Sequence, residues 1–183
     1  MDIQSTSLDG LVVLKPEKHE DPRGFFMEVF HHEKLKQKGI DFSVKQINQS
    51  HSHRGVIRGL HLQWDKPLAK IIRVVKGAIV SVAVDIRKKS PTFGQWVGIE
   101  LDDKEQHLLY APFGFAMGFC ATEDADVEYL YSAEYNALGE GSILWNDPTL
   151  AIAWPIADPV VSARDQAATP FAAWVERGES NLF

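Results

Sequence analysis

From Val56 onward the chain is a close succession of short β-forming runs parted by turn residues. The run Val56–Lys76, VIRGLHLQWDKPLAKIIRVVK, is closed by Gly77. A later run gives way to Lys88-Lys89-Ser90-Pro91, and Asp102-Asp103-Lys104 reads as a polar hairpin tip. Val80, Val82, Val84 and Ile86 alternate with small or polar residues, the period of a strand with one buried face. Many short strands with few helical stretches restrict the fold to an all-β sandwich or barrel. A jelly-roll barrel is the closed form that leaves an interior able to hold a ligand.

The flanks complete that pattern. Leu11–Phe30 reads as short strands broken by a turn at Asp21-Pro22-Arg23-Gly24, with Phe26 and Glu28 on one strand face. His31–Lys38 reads as a short polar helix, Phe42–Asn48 as a strand and Ser50–Gly55 as a polar loop. After Pro155 the texture changes to a tail that is expected to wrap the barrel, with a short helix from Pro170 to Arg177. The 183 residues suit a single domain, 1–183, and no repeat or linker argues for a second.

Composition narrows the function. The net charge is −6 and no basic cluster is present, which argues against a nucleic-acid partner. A lone cysteine, Cys120, has no internal disulfide partner and fits a reducing cytoplasm. The N-terminus MDIQSTSLDG has no apolar signal core, and no apolar run approaches the roughly 18 residues of a membrane span. The expectation is a soluble, cytoplasmic protein without membrane partners.

Arg58, His61 and Lys70 stand close together between β-forming runs. A histidine beside two fixed cations suits removal of a proton next to a carbonyl, the cations holding the oxyanion that forms. Each residue alone is ordinary: a solvated strand cation or a core histidine. Tyr129, in Asp126–Tyr135, shares a strand face with Val127 and Tyr131 and offers a phenol as proton donor, although such stripes are more often core. Metal chemistry fits poorly. His51-Ser52-His53 resembles half of a metal-binding barrel site, but Ile57 and Arg58 occupy the place of the expected Glu. The companion Pro-x-Gly-x-x-His motif ends in Met117, a poor ligand for hard divalent ions. His51 and His53 therefore read as loop residues, and no metal site is expected.

In order and spacing, several stretches together resemble the dTDP-4-dehydrorhamnose 3,5-epimerases, nucleotide-sugar epimerases of the cupin type. They are Asp21-Pro22-Arg23-Gly24-Phe25-Phe26, Gln46-Ile47-Asn48-Gln49-Ser50, Val56-Ile57-Arg58-Gly59-Leu60-His61, Val82–Arg87, Ser90–Trp96, Asp147-Pro148-Thr149-Leu150 and Trp154-Pro155. Three positions depart from the family pattern: Leu62 after His61, Ala111-Pro112-Phe113, and Met117 where the family usually has a histidine.

The resemblance implies a cupin-like jelly roll and an isomerase acting on a dTDP-linked 4-keto-6-deoxyhexose, epimerised at C3, C5 or both, in deoxysugar biosynthesis. A ketoisomerase and a non-catalytic sugar-binding cupin are the alternatives. It implies His61 as general base with Asp165 as its partner, Tyr129 as the acid on the opposite face, and Lys70 and Arg58 as holders of the enolate oxygen. Arg23, Phe26, Glu28, Gln46, Asn48, Tyr135 and Arg164 would bind the nucleotide and its diphosphate. No cofactor is implied, since the ketone itself supplies the acidity. A homodimer is implied, with exchanged N-terminal strands; the apolar strands of Leu11–Phe30 also call for a covered edge. One geometric condition follows. Arg58 and His61 are three residues apart and point to opposite faces of a regular strand, so a bulge at Gly59 must re-aim one of them.

Overall fold

The computed structural model describes residues 1–183. Its strands in chain order are β1 (Asp2–Ser5), β2 (Val12–Lys15), β3 (Lys18–Asp21), β4 (Gly24–Met27), β5 (Gln46–Ser52), β6 (Val56–Gln63), β7 (Lys70–Lys76) and β8 (Ala78–Asp85). These are followed by β9 (Trp96–Asp102), β10 (Leu108–Ala111), β11 (Phe115–Ala121), β12 (Ala125–Tyr131), β13 (Glu140–Ser142) and β14 (Val160–Val161). Three short α-helices accompany them: α1 (His32–Gln37), α2 (Ala163–Gln166) and α3 (Phe171–Val175). No helix is long and apolar enough to cross a membrane.

The strands form two sheets. The first runs β1-β2-β10-β7-β12-β5 and the second β13-β6-β11-β8-β9, with β14 parallel to β6. Side chains alternate across each strand, so each sheet has an inner and an outer face. Val13, Ile72, Val74, Leu109 and Val127 of the first sheet pack against Ile79, Ala83, Phe115, Met117 and Phe119 of the second. This is the jelly-roll interior that the strand pattern predicts.

Both outer faces are covered in part as well; along β5 of the first sheet, Ile47, Gln49 and His51 stay exposed. Leu14, Ile71, Leu108 and Leu130 of the first sheet bury against Leu35 of α1 and against Ile40 and Phe42. Phe42 is drawn off the sheet by this packing, edge-on to Phe30 and Tyr110. The strand expected over Phe42–Asn48 is therefore displaced: β5 begins at Gln46 and continues to Ser52, through part of the expected loop. On the second sheet, Val82, Val84 and Ile86 face outward into a cluster with Phe171 and Trp174 of α3. The alternating run of β8 thus has both faces buried, because the tail wraps it.

Asp102-Asp103-Lys104 is a turn but not a hairpin tip. β9 pairs with β8, whereas β10 pairs with β2 and β7, so the chain crosses between sheets there. The apolar edge of β2 is covered within the chain, by β1. The β3–β4 hairpin forms a separate two-stranded sheet and leaves Phe25 and Phe26 exposed. Glu28 falls just past β4 and does not share the strand face of Phe26.

Wrapping makes the tail part of the core. Trp174 is 1 % exposed and lies between Trp64 and Phe183, with ring centroids 5.7 and 6.0 Å away. Trp174→Ala is expected to cost about 3–5 kcal/mol. A urea midpoint that stays unchanged would show that the tail is dispensable.

Candidate active site

β6 delivers the central residues, and its register explains how. Met117 of β11 pairs with His61 and Phe119 pairs with Arg58. Two steps on β11 therefore match three on β6, which is the extra residue of a β-bulge. The peptide between Gly59 and Leu60 is cis. Gly59 has φ +121°, and a Cβ there would lie 2.5 Å from the Gly118 Cα. Glycine is thus required both for the backbone angle and for the close approach to β11. With the bulge in place, Arg58 and His61 face the same space.

That space is a cavity of about 90 Å³ between the sheets, whose lining includes Arg58 and His61 of β6, Lys70 of β7, Met117 of β11 and Tyr129 and Tyr131 of β12. The imidazole stands on one sheet and the two phenols on the other. A wider cavity of about 270 Å³ shares His61, Lys70 and Tyr131 and adds Asn48, Tyr135, Glu140 and Arg164. Gln46 borders it: its side chain donates to Asn48 Oδ1 at 2.9 Å and accepts from the Tyr135 backbone N–H at 2.9 Å.

Asp165 sits behind the imidazole on α2, where Ser162 caps the helix. Its Oδ1 lies 2.8 Å from His61 Nε2, and its Oδ2 accepts the Gly59 N–H at 3.2 Å. Burial alone would raise the Asp165 pKa, but the hydrogen bonds from His61, Gly59 and Ser162 outweigh it and leave the carboxyl below its usual value. An anionic Asp165 holds the proton on Nε2 and leaves the Nδ1 lone pair free to act as a base. Arg58 is fixed by Nε donating to Ser52 Oγ at 2.9 Å and Nη2 to the His51 carbonyl at 3.0 Å. Burial raises the Tyr129 pKa against the opposing effects of Ser50 and Arg58, and pushes Tyr131 up to about 12. Tyr129 therefore keeps its proton, with its hydroxyl 2.9 Å from Ser50 Oγ.

Of the residues expected from sequence, Arg58, His61, Lys70, Tyr129, Asp165, Gln46, Asn48, Tyr135 and Arg164 come together. Three do not. Arg23 pairs with Asp21 at the tip of the β3–β4 hairpin and, with Phe26, lines a separate cleft. Glu28 bonds Lys34 at 2.8 Å. Two other groups were not anticipated. Glu140 accepts from the Tyr135 hydroxyl at 2.7 Å and from Arg164 Nη2 at 2.8 Å, joining two of the expected binding residues; nothing in its local sequence marks it. Ser50 and Ser52 continue the period-two series begun by Gln46 and Asn48, a signal visible once β5 is correctly placed.

Lys70 is 8 % exposed, and burial lowers its pKa to about 8 despite the nearby charge of Glu140. Its folded pKa lies below the unfolded value of 10.5, so the charged form opposes folding. That penalty is fully present below pH 8 and relaxes as pH rises towards 10.5. Lys70→Met is expected to stabilise the fold by roughly 3 kcal/mol at pH 7, a shift of this size converted at about 1.4 kcal/mol per unit. Its advantage should shrink between pH 8 and 10.5 in chemical denaturation. A destabilised variant at pH 7 would contradict the burial cost.

The family model for dTDP-4-dehydrorhamnose 3,5-epimerase matches residues 5–173. The dTDP-4-dehydrorhamnose 3,5-epimerase of Methanothermobacter thermautotrophicus is 41 % identical over 165 residues, covering 88 % of this chain and 89 % of its own. The crystal structure of a Legionella pneumophila 3,5-epimerase in complex with dTDP-4-keto-L-rhamnose superposes with a TM-score of 0.92 at 38 % identity, covering 98 % of this chain and 96 % of that one. A 3′-monoepimerase from Streptomyces bikiniensis in complex with dTDP-quinovose gives 0.87 at 38 % identity, covering 92 % and 87 %. Sequence and fold agree along nearly the whole chain, which belongs to the dTDP-4-dehydrorhamnose 3,5-epimerase family of isomerases.

Proposed function

We propose that this chain, as a single epimerase domain, inverts a dTDP-4-keto-6-deoxyhexose at both C3 and C5 through an enolate. The observation that carries the residue roles is the Asp165-backed imidazole of His61 on one sheet and the protonated phenol of Tyr129 on the other, across one cavity. C3 and C5 both flank the C4 ketone, so a single oxyanion site serves both carbons. His61 Nδ1 takes the proton from one face, and the C–H electrons pass to the C4 oxygen. The Arg58 and Lys70 cations stabilise that oxygen. Tyr129 returns a proton to the carbon from the other face, inverting the centre, and solvent resets both groups. The dTDP moiety lies in the wider cavity among Gln46, Asn48, Tyr135 and Arg164, with Glu140 holding Arg164 in place.

A second reading, epimerisation at one carbon only, is favoured by a specific observation. Met117, 3 % exposed and paired with His61, presents a thioether without a transferable proton on the cavity wall. Turnover in D₂O separates the readings: the two-carbon reading expects deuterium at C3 and C5. Label at one carbon selects the monoepimerase, and no label contradicts catalysis altogether.

The active unit in this proposal is a homodimer. Phe26 is 72 % exposed on a hairpin whose Arg23 lies outside the His61 cavity. A second copy of the chain is a fitting cover for those aromatics and brings Arg23 towards a nucleotide diphosphate, which its planar guanidinium suits. Light scattering should give twice the 20.5 kDa chain mass, and Phe26→Asp should lower it. A monomer at micromolar concentration contradicts this assembly.

A further inference from the structure

The loop reading holds for His53 but not for His51, which is a strand residue. His51 lies on β5 and His53 one step beyond its end. Being two residues apart, they share the outward face of the strand, while Ser50 and Ser52 turn towards Tyr129 and Arg58. Their rings lie 5.1 Å apart between centroids. Across the ladder, Asp126 pairs with His51. Asp124, in the turn between β11 and β12, completes a group whose ligand atoms all lie within 4.8 Å of one another.

The hydrogen bonds around this group arrange it for a cation. His51 Nδ1 lies 2.7 Å from Asp126 Oδ1, and donation to that carboxylate leaves Nε2 as a free lone pair. A carboxylate behind a ligating imidazole is the usual supporting contact of a histidine metal ligand. Asp124 Oδ1 is held by the Arg54 backbone N–H at 2.8 Å, while Oδ2 is turned to His53 at 3.5 Å. Two imidazoles and one carboxylate form a donor set suited to zinc, nickel or copper rather than magnesium. Such ions take ligands at about 2.0–2.2 Å. All three side chains are exposed, so no packing opposes closing the remaining gap.

We infer that His51, His53 and Asp124 form a divalent transition-metal site, separate from the catalytic cavity, that clips the last turn of β5 to the β11–β12 turn. Water completes the coordination. β5 is the outermost strand of the first sheet and pairs only with β12 there, so a clip at its end holds down an otherwise free edge.

The test is calorimetric titration of the full-length protein with Zn²⁺ alone at pH 7.5. One ion per chain is expected, with affinity in the micromolar range, and a chelator in excess should remove it. His53→Gln and Asp124→Asn should each weaken binding by about tenfold or more. Neither residue touches the cavity, so both variants should retain full metal-free turnover. Zn²⁺ should also raise the melting temperature of the wild type but not of the His53→Gln variant. No saturable binding, or zinc binding that both variants retain unchanged, would overturn the assignment.

Discussion

One carboxylate, that of Asp165, fixes the chemistry to the fold. Its two oxygens hold Gly59 N–H and His61 Nε2, the bulge that re-aims β6 and the imidazole that the bulge presents. The carboxylate comes from the tail, more than a hundred residues further along the chain, and its side chain is only 5 % exposed. An ionised group so buried is tolerable because each of its oxygens has a hydrogen-bond partner. The wrapping of the tail over the second sheet therefore reaches the proposed site: α2 supplies the hydrogen-bond partner of both the imidazole and the Gly59 N–H.

The cavity sets stability against function. Lys70 would be easier to bury as an apolar residue, and its pKa of about 8 records that cost. In the proposed mechanism the same desolvation makes the cation more effective toward a developing oxyanion, because water competes less for it. Tyr129 shows the complementary effect. Burial holds its proton on, which suits the proton-donor role proposed for it. Neighbouring Tyr131, pushed up to about 12, lies beneath the Lys70 ammonium at 5.6 Å from its ring centroid and packs as a wall of the site.

Much of this was legible in the sequence, for identifiable reasons. Strand content, the turn at Asp21–Gly24, the short helix after His31 and the tail helix at Pro170 all rest on local signals, and all are present. The bulge at Gly59 followed from a parity argument: Arg58 and His61 share a site only if the strand gains a residue. What failed was non-local. Phe42 has the residue type of a strand but is pulled away by Phe30 and Tyr110, shifting β5 towards Ser52. The alternation in β8 does not reveal that a distant tail covers its outer face. Glu140 is a single acidic residue on a three-residue strand, marked only by what Tyr135 and Arg164 do in space.

The division of labour between His61 and Tyr129 is tested most directly by solvent deuterium exchange in two variants. His61→Asn should abolish exchange at every carbon, since no enolate forms. Tyr129→Phe should still exchange, with His61 returning label on its own face, while inversion falls by about 10²–10⁴-fold. Exchange that survives in His61→Asn, or is lost together with inversion in Tyr129→Phe, would contradict the assignment of base and acid to the two facing sheets.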